Sequence, residues 1–458
     1  MSSRTLLTHT AAARRQGMTL VEMLIATTIT LIIMAAVAEV FGLFGAGVSD
    51  SRSVIEMTDQ MRSAAYRLRQ DLAGATAPTL PPLDPEQEQG YFEYIEGPAT
   101  DANAAAGALL DAADATALTA DCDDILLFTS RSSGGPFVGR FQAGTIESPV
   151  AEIGWFCKRA STQVAGGPTL YTLYRRQLLV LGYVGAGPFL GSNEIAWPGS
   201  WENFYGTYDV SCRFDLITAT LRPNTLGDLT KREWRFLHNT EAGGIPTFAF
   251  PYVANISPST SPIPASGETL GLSRAGEDVV LTNILSFDVR VFDPQAEIRT
   301  RASTVDAVTP GDPGFADATA VFAARGAYVD LGWNAASFGT GSVPTSLFPP
   351  SPPLSAFQTG GVFVSSAPGN ALLTPATYDT WSTHYEADGV DQDGQGGADQ
   401  GTNGFDDDGD GVIDEADEAE TSAPYPVALR GLEIRIRCYE PSSRQIRQVT
   451  VRHTFVPH

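Results

Sequence analysis

The chain has five histidines and four cysteines in 458 residues, and neither type is placed for chemistry. His9, His238, His384, His453 and His458 are scattered with no HExxH pair, and Cys122, Cys157, Cys212 and Cys438 form no CxxC. A zincin helix, a zinc knuckle and a thioredoxin-type redox pair are therefore excluded. His238, after Trp234-Arg235-Phe236-Leu237, and His453, in a β-rich run, read as packed or surface histidines. Gly271-Leu272-Ser273-Arg274-Ala275 lacks the closing glycine of a nucleophile elbow, and Gly185-Ala186-Gly187 is followed by Leu190 where a dinucleotide fingerprint needs glycine. Positive charge is scarce as well. The 29 Lys and Arg face 53 Asp and Glu, a net of −24, which argues against nucleic-acid binding. The sequence therefore marks no enzyme, although its 43% hydrophobic content can fill a large globular core.

One long hydrophobic run is present, near the N-terminus. Leu20 to Phe41 offers about 22 residues, enough at ~1.5 Å per residue to cross roughly 30 Å of hydrocarbon. Thr27, Thr28 and Thr30 interrupt it, but threonine hydroxyls can bond back to the helix. Arg4, Arg14 and Arg15 precede the run, so the positive-inside rule holds the N-terminus in the cytoplasm and puts everything after Phe44 outside. Secretory signals are cut beyond their apolar region. Here the small residue, Gly17, comes before the run, so the anchor survives processing.

Arg14-Arg15-Gln16-Gly17-Met18-Thr19-Leu20-Val21-Glu22 and the apolar run behind it resemble the class III signal of type IV pilins and type II secretion pseudopilins. The resemblance implies that a prepilin peptidase cuts between Gly17 and Met18 and methylates the new N-terminus. Met18 stands where the family usually has Phe. It also implies that Glu22 pairs with the freed amine during docking into a filament. Charge physics agrees, because an ionised carboxylate in hydrocarbon normally has a partner and a task, and no basic residue of the same helix is near Glu22 after cleavage. The plainer alternative is an uncleaved anchor with Glu22 near the headgroups.

Past Gly42, Gly45 and Gly47, which weaken a helix locally, Val54, Met57, Met61, Ala65, Leu68 and Leu72 recur at three- and four-residue steps. They predict a second, amphipathic half of the same helix, closed by Gly74 and Pro78. The rest reads as strands: Ile125 to Thr129, Ala151 to Cys157, Leu170 to Val180, Glu233 to Leu237 and Val279 to Phe292. A terminal hairpin joins Glu433–Cys438 to 448–455 through Glu440-Pro441-Ser442-Ser443. The fold expected is α+β: a long N-terminal helix and a mainly antiparallel β head with long insertions. Tyr66-Arg67-Leu68-Arg69-Gln70-Asp71-Leu72, then Leu126-Leu127-Phe128-Thr129, Leu173-Tyr174-Arg175-Arg176 and Ile284 to Val291, resemble in order the J component among minor pseudopilins.

The implied organisation is a leader (1–17), a transmembrane half-helix (18–44), an amphipathic half-helix (45–77), a pilin-like head (78–292), an insertion (293–426) and the hairpin (427–458). Residues 99–120 and the proline-rich 342–353 read as surface loops. The head lies where disulfides are permitted, so the cysteines are either bridged once or twice or are four buried thiols.

Between Glu386 and Glu420 there are 14 acids and no Lys or Arg; without them the net charge would be −10. Within that segment Asp406, Asp408 and Asp410 occupy positions one, three and five of a calcium loop. Gly411 makes its turn, Val412 offers a carbonyl, and Asp414 and Asp417 complete the shell. Asp417 replaces the usual glutamate, and Glu418 serves if the register slips by one. Asp391, Asp393, Gln395 and Asp399 form a degraded copy upstream. Structural Ca²⁺ is the expectation, against a plain acidic, glycine-rich loop.

The resemblance implies a non-enzymatic subunit: a minor pseudopilin that primes or caps a pseudopilus with I- and K-like partners. It would be processed by prepilin peptidase, held in inner-membrane lipid and recruited by the assembly platform, its head in the periplasm. The alternatives are a W-like minor tip pilin of a type IV pilus, serving initiation or adhesion, and a membrane-anchored periplasmic enzyme.

Overall fold

The computed structural model describes residues 18–96, 121–181, 195–236, 238, 278–333, 346–348 and 377–455, apart from short gaps within these ranges. Gly17, residues 99–120, Gly185 to Gly187, Gly271 to Ala275 and most of 342–353 lie outside the described residues. The chain divides into two compact units, one ending at Glu56 and one beginning at Met57.

Helix α1, Leu20–Ala73, is a single element of 54 residues, and the three glycines do not interrupt it. Along the apolar run its large side chains, among them Leu24, Leu31, Phe41 and Phe44, are exposed. The threonines bond back as expected: Thr27 Oγ1 to the Met23 carbonyl at 2.9 Å, Thr28 to Leu24 at 2.7 Å and Thr30 to Ala26 at 2.7 Å. From Met57 on, Met57, Met61, Ala64, Ala65, Leu68 and Leu72 are buried, the stripe that the 3–4 spacing predicts. Gly74 stops the helix where the chain runs against the sheet. A Cβ there would lie 2.2 Å from the Arg131 carbonyl oxygen, and the Arg131 N–H donates to the Gly74 carbonyl at 2.7 Å.

The second unit is built on one antiparallel sheet. Its strands are β1 (Phe92–Ile95), β2 (Ile125–Arg131), β5 (Val150–Arg159), β6 (Tyr171–Leu179), β10 (Val279–Thr300), β13 (Thr377–Asp379), β14 (Gly431–Glu440) and β15 (Gln445–Thr454). They lie in the order β13-β1-β2-β5-β6-β10-β14-β15, with β11 (Ala307–Val308) and β12 (Val321–Val329) also paired to β10. A hairpin of β3 (Phe137–Phe141) with β4 (Gly144–Ser148) and a small sheet of β7 (Ile195–Ala196), β9 (Thr220–Pro223) and β8 (Cys212–Asp215) stand apart. This is the expected α+β architecture.

The hairpin β14–β15 keeps the expected alternation. Leu432, Ile434 and Ile436 are fully buried, and Ile434 faces Val451 and Ile436 faces Val449 across the ladder. The 22-residue β10 is the hub: its start pairs with β6, its middle with β14 and its end with β12, with register shifts within each pairing. The region 293–426 is woven into this sheet, since β12 extends it alongside β10 and β13 adds a strand beside β1.

One expected strand is not there. Glu233 to Trp234 belong instead to a 3-10 helix, Arg232–Trp234. The reason is the three-residue spacing of Arg232 and Arg235. A strand would send them to opposite faces, whereas 3-10 geometry eclipses i and i+3. Both guanidinium groups can then reach the same two buried acids, Glu93 and Asp379.

Candidate assembly and ion-binding sites

At the N-terminal end of α1, Thr19 and Glu22 form a reciprocal cap. The Thr19 N–H and hydroxyl donate to the Glu22 carboxylate at 2.9 and 3.0 Å, and the Glu22 N–H donates to Thr19 Oγ1 at 3.3 Å. This is a capping box, and its signal is legible: threonine, two residues, glutamate, then an apolar run. The expectation for Glu22 looked only to charge and missed this partner. Met18, exposed, is the residue just before Thr19. The apolar run also holds Glu39, one turn before Gly42, which the motif does not mark.

Two of the segments singled out in the sequence, Tyr66 to Leu72 and Leu173 to Arg176, meet in the second unit. Asp71 of α1 is buried and accepts from Arg175 Nε at 2.6 Å, Arg175 Nη2 at 2.8 Å and Trp155 Nε1 at 3.0 Å. Its backbone carbonyl accepts from Ser130 Oγ at 2.8 Å. The carboxylate thus fastens the helix to β5 and β6 by charge-assisted bonds, which are the strong kind, and the carbonyl of the same residue ties it to β2. The adjacent Arg176 points the other way and pairs with Asp278 at 2.9 Å and Asp209 at 3.1 Å.

Two buried charge clusters flank β1. On one side, Arg232 Nη2 meets Glu93 at 2.6 Å, Arg235 Nη1 meets Asp379 at 2.9 Å, and His238 Nε2 meets Glu93 at 2.9 Å. Burial alone would raise the Glu93 carboxyl, but Arg232, His238 and Arg235 hold it well below the usual range. His238 is therefore packed, as expected, and burial lowers its pKa. On the other side, carboxylate oxygens of Glu96, Asp121 and Asp330 converge, as do those of Asp121, Asp124 and Asp288. Burial and the charges of Asp330 and Asp124 push Asp288 well above the ordinary aspartate range.

The acidic loop is folded around its own amides. Asp406 accepts from the Gly409 and Gly411 N–H groups at 2.6 and 3.0 Å, and both glycines have positive φ. Oxygens of Asp406, Asp408 and Glu418 lie within 4.8 Å of one another, as do those of Asp408, Asp410 and Glu415. Asp414 is in neither group; its carboxylate accepts from the Gly404 N–H at 2.8 Å. Val412 donates its N–H to Asp410 at 2.8 Å. Asp417 lies outside the described residues. In the upstream copy, Asp399 caps the Gly389 N–H at 3.0 Å, and Asp391 is described, while Asp393 and Gln395 lie outside the described residues.

All four cysteines are buried free thiols, so no bridge joins Cys122, Cys157, Cys212 or Cys438. Cys122 Sγ donates to the Leu285 carbonyl at 3.0 Å. Burial, then the neighbouring Cys122, pushes the Cys438 thiol up to about 12, so Cys438 is no activated nucleophile.

Compared with known families, the chain matches the prokaryotic N-terminal methylation motif over residues 12–38. No curated protein and no solved structure matches it. The motif and the long apolar helix make this a type IV pilin-like or pseudopilin-like N-terminus on a single-pass membrane anchor. They point to a structural subunit that a prepilin peptidase processes and that assembles with other pilins.

Proposed function

We propose that the chain is a minor pseudopilin of a type II secretion system, a J-like subunit that primes or caps the pseudopilus. The methylation motif at 12–38, which runs from before the helix into its exposed apolar part, carries this reading. The Asp71–Arg175 clamp supports the J-like assignment, because it joins two of the segments on which that likeness rests. The head then lies in the periplasm, and I- and K-like subunits are the partners. Cleavage after Gly17 frees the Met18 amine one residue from Thr19, whose N–H already sits 2.9 Å from the Glu22 carboxylate. With consecutive Cα atoms ~3.8 Å apart, the amine of the same chain lies within reach of Glu22. Exchanging the capping contact for this charge pair couples processing to docking.

N-terminal mass spectrometry of the protein from cells with and without prepilin peptidase tests the first step. The expected mature chain begins at N-methylated Met18 and disappears without the peptidase; an intact precursor in peptidase-positive cells refutes the reading. Copurification with I- and K-like subunits, and loss of secretion on deletion, are expected for the J-like role. Loss of pili with secretion intact assigns the chain instead to a W-like minor pilin.

A further inference from the structure

We propose that the acidic segment before the terminal hairpin is a Ca²⁺ site in which Glu418, one residue past the expected twelfth position, supplies the long carboxylate. Asp406 and Asp408 bring oxygens within 4.8 Å of it, and Asp408 is shared with the adjoining group that contains Asp410 and Glu415. Glu418 gives the independent sign of a ligand. It is only 5% exposed, and its Oε1 accepts from the Asp407 and Asp408 N–H groups, the latter at 3.2 Å. Its Oε2 is buried without a hydrogen-bond partner. A buried carboxylate with one unbonded oxygen, converging with two aspartates, needs a proton or a cation, and a cation among three hard-oxygen donors satisfies all of them at once. The donors are all hard oxygens and no histidine or cysteine lies between Glu386 and Glu420, which suits Ca²⁺ and not Zn²⁺. Three converging carboxylates also exceed the one or two by which Mg²⁺ is usually held.

The position of Glu418 gives the ion a mechanical role. Two and three residues on, the Glu420 and Thr421 N–H groups donate to Glu386 at 3.0 and 2.9 Å. Trp381 Nε1, next in line, donates to Thr421 Oγ1 at 3.1 Å. Tyr425 is buried beyond them, and Tyr378 Oη donates to the Val427 carbonyl at 3.0 Å before β14 begins. A cation holding Glu418 fixes the start of this chain of contacts and thereby the lead-in to the terminal hairpin. It also draws together acids that otherwise repel.

The test is calorimetric titration of the full chain in detergent, stripped with EGTA, using CaCl₂ and separately MgCl₂. One saturable Ca²⁺ site is expected, at least tenfold tighter than for Mg²⁺. Glu418→Gln keeps an acceptor for the two amides but loses the charge, and Asp408→Asn does likewise in the loop. Each should weaken Ca²⁺ at least tenfold, whereas Asp417→Asn should change it less than threefold. Melting curves in EGTA that match the parent show that a weakened variant is still folded. Digestion with a protease that cuts after acidic residues adds a second readout: Ca²⁺ should slow cleavage across 406–420 in the parent and not in Glu418→Gln. Absence of saturable binding, Mg²⁺ as tight as Ca²⁺, a larger effect of Asp417→Asn than of Glu418→Gln, or cleavage indifferent to Ca²⁺ overturns the proposal.

Discussion

Replacing Asp71 by alanine should be among the most damaging single changes in the second unit, and the size of the loss follows from what Asp71 holds. It removes the acceptor of three donors, Arg175 Nε, Arg175 Nη2 and Trp155 Nε1. The side chains of Asp71 and Arg175 are 3% and 9% exposed, so water cannot take the place of the lost carboxylate. Breaking a buried ion pair from one side costs about 3–5 kcal/mol because a charge is left uncompensated. The low end applies, since Arg175 keeps its bond from Nη1 to Gln177 Oε1 at 3.1 Å. The assay is urea unfolding of the full chain in detergent, followed by tryptophan emission, with Arg175→Gln and the double variant completing a cycle. A coupling energy of about 2 kcal/mol or more is expected between the two positions. Arg62→Ala is the control, because its pair with Asp59 is mostly exposed, at 75% and 65%, and should matter little. An Asp71→Ala loss no larger than that of Arg62→Ala, or a coupling near zero, refutes the claim that this carboxylate fastens helix to sheet.

Gly74→Ala should destabilise by about 1–3 kcal/mol in the same assay, despite alanine's better helix propensity, because the new methyl meets the Arg131 carbonyl oxygen at 2.2 Å; an unchanged midpoint contradicts the close approach. Asp288→Asn should raise the melting temperature more at pH 8 than at pH 5. The folded carboxyl titrates well above its unfolded value, so its contribution favours folding at acid pH and is lost as pH rises through the folded pKa, a loss asparagine cannot suffer. A pH-independent difference in scanning calorimetry argues against that. Glu22→Ala should leave membrane insertion intact and impair incorporation into filaments, as measured by crosslinking to other pilin-type subunits. Glu22→Gln, which keeps an acceptor for Thr19 but no charge, should impair it equally if charge pairing is the mechanism; normal incorporation of Glu22→Gln assigns the role to the helix cap.

The sequence by itself determined whatever depends on local pattern. The apolar run, the preceding basic residues and glycine, and the 3–4 spacing of Met57, Met61, Leu68 and Leu72 specify the helix, because helical periodicity is written in neighbouring residues. The alternation of Leu432, Ile434 and Ile436 specifies the hairpin for the same reason. Tertiary structure alone decided the rest. That Asp71 meets Arg175, 104 residues away, rests on the fold bringing distant segments together. The eclipsed arrangement of Arg232 and Arg235 is dictated by Glu93 and Asp379, which no local pattern reveals. Glu418, and not Asp414, joins the Asp406–Asp408 oxygens because Asp414 turns to the Gly404 amide and burial brings Glu418 inward. Residue spacing gives the order of ligands along a loop, but which oxygens converge depends on how the surrounding chain folds over them.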